Sequence, residues 1–114
     1  MELREYQINA NKTCLAPSNN FSYMMLNLVG EVGEIASKIA KSIRKDKSII
    51  VGNHLYPDES IENDLKLELG DILWQLSGLC STMEWSLEEI AQMNLDKLSS
   101  RKLRNKIEGN GDNR

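Results

Sequence analysis

The stretch Phe21-Ser22-Tyr23-Met24-Met25-Leu26-Asn27-Leu28-Val29-Gly30-Glu31-Val32-Gly33-Glu34-Ile35 decides the architecture. Its apolar residues Phe21, Met24, Met25, Leu28, Val32 and Ile35, continued by Ile39 and Ile43, recur in steps of three and four, which is one face of an α-helix. A long helix is therefore predicted from about Asn20 to Arg44. On a wheel of about 100° per residue the apolar stripe centres near Leu28. Asn27, Glu31, Glu34 and Lys38 then fall together along one edge, with Glu31 the deeper of the two acids.

Outward from this helix the same periodicity recurs. A first helix covers roughly Glu2 to Asn11, and a turn follows around Pro17-Ser18-Asn19-Asn20. Lys45 to Tyr56 breaks the pattern: Ile49-Ile50-Val51, Gly52-Asn53 and His54-Leu55-Tyr56 read equally as a two-residue hairpin or as a loop. Pro57-Asp58-Glu59-Ser60 opens a third helix to about Met83, the most apolar of the chain. Ser86-Leu87-Glu88-Glu89 has the form of a capping box, and it starts a fourth helix to about Lys106 with Leu87, Ile90 and Leu98 as its buried face. The expected fold class is all-α, one domain over residues 1–114 as a four-helix bundle-like protomer.

Trp74 points roughly opposite to a stripe centred on Ile72, and Leu67 and Leu73 also lie outside it. The third helix is thus apolar over most of its circumference, more than one small chain can cover. A homodimer or a dimer of dimers (a homotetramer) is expected, with the third helix at the contact and the active sites near subunit boundaries; the alternative is that the first helix and the loop cover Trp74.

Composition narrows the function. With 114 residues, 40% of them apolar, the chain is one small domain. Fourteen Lys and Arg against seventeen Asp and Glu give a net charge of −3, which offers no excess positive field for a general nucleic-acid binder. The start Met1-Glu2-Leu3-Arg4-Glu5 lacks the apolar run of a signal peptide, and no stretch approaches a membrane span, so a cytoplasmic protein without a membrane partner is expected. Cys14 and Cys80 are read as small hydrophobes, and the single histidine, His54, excludes any site needing two His ligands from one chain.

The acids carry the chemistry. On the third helix, with Ile72 as centre, Asp64, Glu68, Asp71 and Gln75 form an edge, Glu68 lying close to Leu65, Leu69 and Ile72. Two helices thus each bring a Glu-x-x-acid pair to the rim of the core. A buried carboxylate costs several kcal/mol without positive compensation. Four carboxylates, Glu31, Glu34, Glu68 and Asp71, with no His or thiolate, form a hard-oxygen site suited to Mg²⁺ or Mn²⁺. The fourth helix puts Asn94, Lys97 and Arg101 on or beside its buried face, where they suit phosphate binding as a neutral donor, a mobile charge and a planar fork. Asp112 and Arg114 follow glycines in the tail, so residues 107–114 read equally as a lid that folds back over bound phosphates or as a frayed end.

At these residues the sequence resembles the all-α nucleoside triphosphate pyrophosphohydrolases of the MazG-like superfamily. Their pattern of E-E-x-x-E on one helix and E-x-x-D on the next is matched by Gly30-Glu31-Val32-Gly33-Glu34 and Glu68-Leu69-Gly70-Asp71. The flanks Leu28-Val29 and Ile35-Ala36, and Leu67 with Ile72-Leu73-Trp74, agree with it. Asn94-x-x-Lys97-Leu98 and the tail Gly109-Asn110-Gly111-Asp112-Asn113-Arg114 are similar to a small single-domain branch. Gly30 stands where the first acid of the pattern is usual, and Lys45 to Tyr56 reads as an insertion. The resemblance implies Mg²⁺-dependent cleavage of a nucleoside triphosphate (NTP or dNTP) between its α and β phosphates, giving the monophosphate and pyrophosphate. Metal ligands would be Glu31, Glu34, Glu68 and Asp71. Lys97 and Arg101 would stabilise phosphate charge, Asn94 would orient the phosphates, and Glu34, farther from the apolar stripe than Glu31, would be the general base. The alternatives are a non-catalytic helical interaction module and a relative directed at dUTP or dCTP.

Overall fold

The computed structural model describes residues 1–114. Four helices are present, α1 (Leu3–Asn11), α2 (Phe21–Arg44), α3 (Glu59–Thr82) and α4 (Leu87–Leu103), with a short 3₁₀ turn at Ala16–Ser18. Between α2 and α3 lies a two-stranded hairpin, β1 (Ser48–Val51) and β2 (His54–Pro57). Of the two readings of Lys45 to Tyr56, the hairpin is correct. Val51 pairs with His54, so Gly52-Asn53 is the two-residue turn, and Gly52 takes φ +62° at its first position, as a type II′ turn requires.

The helix starts are fixed by side chains. Asn20 accepts a hydrogen bond from the Tyr23 amide, Asp58 from Ile61 and Ser86 from Glu89. In the Ser86 box only this half is present, and the neighbouring Leu87 amide donates to the Gln7 side-chain oxygen of α1. The ends of α2, α3 and α4 all close the same way. Asp46, Glu84 and Asn105 adopt left-handed φ of 58°, 58° and 55°, and the next amide reaches back to the carbonyl of Ser42, Cys80 or Arg101. This closure stops α4 at Leu103, three residues short of the Lys106 end expected from periodicity.

α2 runs antiparallel to α3. Met24 at the start of α2 sits on Gly78 near the end of α3, and Lys38 meets Glu68 farther along. Met24 is 0% exposed, and a Cβ on Gly78 would come within 2.6 Å of its Sδ, so the two helices cross closely there. α1 packs across α3 and the start of α4. The Gln7 side chain binds the Ser81 hydroxyl, the Trp85 carbonyl and the Leu87 amide, holding the α3–α4 corner.

Two wheel-based expectations are corrected. The Trp74 indole donates to Thr13 Oγ1 at 2.8 Å and to the Ala10 carbonyl, so α1 and the turn after it, not a second subunit, cover this residue. On α4 only Leu87 and Arg101 are buried, while Ile90 and Leu98 are exposed, because α4 leans on α1 and leaves most of its length unpacked. α3 buries a polar seam, Glu68, Gln75 and Ser77, and turns Leu67, Leu69, Leu73 and Leu76 outward. The radius of gyration is 17.3 Å, against about 13 Å for a compact chain of this size. No helix is long and apolar enough to cross a membrane.

Candidate functional site

α2 and α3 each present acids one helical turn apart to the groove between them. Glu31 from α2 and Glu68 and Asp71 from α3 bring one carboxylate oxygen each to within 4.8 Å of the others. Glu68 is 6% exposed, Glu31 half-buried and Asp71 exposed, so the cluster grades from the helix contact to solvent. Glu34, one turn beyond Glu31, is exposed and outside this trio, although its charge still reaches Glu31.

Burial, then the charges of Asp71, Glu34 and Glu68, push the Glu31 carboxyl above its ordinary value, and the Asn27 amide at 3.4 Å opposes the shift. The Tyr6 phenol of α1 is also raised, first by burial and then by Asp71. Tyr6 thus stands beside the cluster. Among the wheel-edge residues, Lys38 turns out to matter most: its ammonium binds Glu68 Oε1, and that bond raises the Lys38 pKa. The compensation that the buried acid requires is therefore half supplied by a lysine thirty residues away in sequence. Glu68 Oε2 is buried with no partner. An all-oxygen set containing a buried carboxylate oxygen free to bind fits a hard divalent cation.

The cationic residues of α4 have a different neighbour. Arg101, 4% exposed, donates to the Gly111 carbonyl, the Asp112 carbonyl at 2.9 Å and Asp112 Oδ1, and Lys97 binds the same carboxylate at 3.1 Å. Asn94 is exposed on the same helix. The Arg114 guanidinium ties the tail to itself through the carbonyls of Lys106, Ile107 and Gly111. The tail is therefore folded back onto α4, with an aspartate seated between two cations that suit a phosphate.

Those two hydrogen bonds, Lys97 first and Arg101 next, hold the Asp112 carboxyl below its ordinary value. A depressed carboxylate pKa adds a stabilising contribution that is complete above the unfolded value and disappears as pH falls through the folded one. The tail is expected to stay docked at neutral pH and to release below about pH 4. Amide exchange of residues 109–114 across a pH series checks this; protection unchanged down to pH 2 would show that Asp112 does not hold the tail.

Sequence alone does not single out Tyr6 and Gln7, because α1 carries no buried residue of its own. A polar residue recurring on an otherwise apolar face, as Gln7 does between Leu3 and Ala10, was the available signal.

Residues 19–104 match the family model described as the MazG nucleotide pyrophosphohydrolase domain, a span that contains both acidic pairs, Lys38, Asn94, Lys97 and Arg101. Over its whole length the chain is 37% identical to the Gene 37 protein of Mycobacterium phage L5, across 121 aligned positions that cover all of both chains. No solved structure matches it.

Proposed function

The chain belongs to the MazG nucleotide pyrophosphohydrolase domain family, and from that premise we propose that it hydrolyses a nucleoside triphosphate, NTP or dNTP, to the monophosphate and pyrophosphate. The observation that carries this reading is the convergence of Glu31, Glu68 and Asp71, one of which, Glu68, keeps a buried oxygen without a partner. These residues, with Glu34 at the open end, would hold Mg²⁺ or Mn²⁺. When bound, such a cation neutralises phosphate charge and lowers the pKa of water.

The chain's own groups supply the rest. Glu34, exposed beside the trio, accepts the proton of the attacking water as general base. Lys97 and Arg101 receive phosphate oxygens when Asp112 gives them up, and Asn94 adds a neutral donor. The tail, released as Asp112 leaves, then closes over the bound phosphates through Arg114. Screening a panel of nucleoside triphosphates, dUTP and dCTP included, for pyrophosphate release with Mg²⁺ or Mn²⁺ tests the reading and identifies the base.

A second reading, a non-catalytic helical interaction module, draws on two observations. Gly30 provides no carboxylate where the pattern has its first acid, and Lys38 already neutralises part of Glu68. Silence across the whole panel would favour it.

The outward leucines of α3 and the exposed Leu26 and Val29 of α2, 75% and 64% accessible, support assembly as a dimer or dimer of dimers, with active sites near the subunit boundary. Sedimentation equilibrium is expected to give twice or four times the chain mass of 12.9 kDa. A single species at the chain mass, at micromolar concentration, would remove this part of the proposal.

A further inference from the structure

We propose that a lysine-lined pocket beside the acidic cluster binds a condensed phosphate, and that its occupant in the working protein is the distal phosphate chain of the nucleotide. The pocket, of about 250 Å³, opens between the last turns of α2, the start of β1 and the first turns of α3. Its walls carry Lys38, Lys41, Lys45 and Lys47, with Asp64 as the one acid. On a chain of net charge −3, four cations around one small concavity reverse the local sign.

Three of these cations are unpaired. Lys38 binds Glu68, whereas Lys41, Lys45 and Lys47 have no acidic group within ion-pair distance. The negative end of the α2 dipole accounts for a cation at Lys41. The same end favours Lys47, which lies past the left-handed Asp46 and is folded back over the helix end by its amide bond to the Ser42 carbonyl, so the fold gathers these cations without giving each a carboxylate. Asp64 offsets only part of this charge, so the lining keeps a net positive excess that a bound anion would neutralise.

Size and chemistry select the anion. Pockets for drug-sized ligands run from about 300 to 1,000 Å³, and this one is smaller and has no aromatic wall on which a base would stack. It suits a compact polyanion. Its position gives the source. Lys38 belongs both to the pocket and to the Glu68 pair, and Asp64 lies one helical turn, about 6 Å, from Glu68. A nucleotide held at Glu31, Glu68 and Asp71 would extend its distal phosphates past Lys38 toward Lys41, Lys45 and Lys47. That assignment rests on the proposed hydrolase reading; the binding of a condensed phosphate does not.

Calorimetric titration of the full chain with inorganic pyrophosphate, in the presence of EDTA, is expected to show saturable binding. Orthophosphate should bind at least tenfold more weakly. The double variant Lys41→Gln/Lys45→Gln should weaken pyrophosphate at least tenfold, while Lys41→Arg/Lys45→Arg and Asp71→Asn should retain it. Binding should also fade as salt shortens the screening length from about 10 Å at 0.1 M to about 3 Å at 1 M. No binding to the wild-type chain, or equal affinity in the Lys→Gln variant with an unchanged melting curve, overturns the site. In the hydrolysis assay the same double variant should raise KM for the triphosphate at least tenfold with a smaller change in kcat, and an unchanged KM overturns the assignment to the substrate's tail. A wild-type chain that binds pyrophosphate through these lysines yet hydrolyses no nucleotide would support the pocket and remove the hydrolase reading, so the two fail separately.

Discussion

Replacing Glu68 with glutamine is expected to lower pyrophosphate release by at least about a hundredfold, the scale seen when a group that stabilises developing charge is lost, and to abolish stabilisation by Mg²⁺. Glu68 is the most buried acid of the cluster and the one with a carboxylate oxygen lacking any partner. Glutamine keeps the shape and removes the charge. In the metal-free protein two effects oppose each other: repulsion with Glu31 and Asp71 is relieved, but Lys38 loses its carboxylate. The Lys38 side chain is partly exposed and returns to solvent along its aliphatic stem. The net change in apo stability is therefore expected to stay within about 1 kcal/mol. Thermal melts with and without Mg²⁺, run on wild type and Glu68→Gln, read both effects. A variant that kept its metal-dependent shift would place the cation elsewhere.

The second large effect lies in the core. Met24→Ala is expected to cost about 2 to 5 kcal/mol, the range for emptying a fully buried long side chain, while Met24→Leu, similar in volume, should cost less than about 1.5 kcal/mol. Met24, Cys80 and Leu87 are the only apolar side chains truly removed from solvent, and Met24 fills the space left open by Gly78 at the α2–α3 crossing. A domain of ordinary stability has about 5 to 15 kcal/mol in all, so the alanine variant gives up a substantial share. Urea melts measure it. A loss under about 0.5 kcal/mol, as for a surface substitution, would show that the crossing is not what holds the two long helices together.

The helices and their starts were legible because periodicity and capping are local: α2 starts beside Asn20, α3 within Pro57–Ser60 and α4 after its cap Ser86, as expected. Two ends were legible as well, α2 stopping at Arg44 and α3 one residue before Met83, whereas α4 stops three residues before Lys106 at the left-handed Asn105, a residue that periodicity alone passes over. In the site, the grouping of Glu31 with Glu68 and Asp71 followed from wheel positions alone, since antiparallel helices bring matched edges together. What a wheel cannot supply is the partner of a face. The Lys38–Glu68 bond, the covering of Trp74 by α1 and the seating of Asp112 between Lys97 and Arg101 all join residues distant in the chain or held by turns without a local code. The burial of a polar seam on α3 was hidden for the same reason, as this helix is apolar on more than one side.

The central claim, that the acidic cluster between α2 and α3 supports cleavage between the α and β phosphates, is tested most directly by following the products of triphosphate hydrolysis by ³¹P NMR in the presence of Mg²⁺. The account predicts equal amounts of nucleoside monophosphate and pyrophosphate from the wild-type chain, both lost in Glu68→Gln. Nucleoside diphosphate with orthophosphate, or the same products at the same rate from the variant, would contradict it.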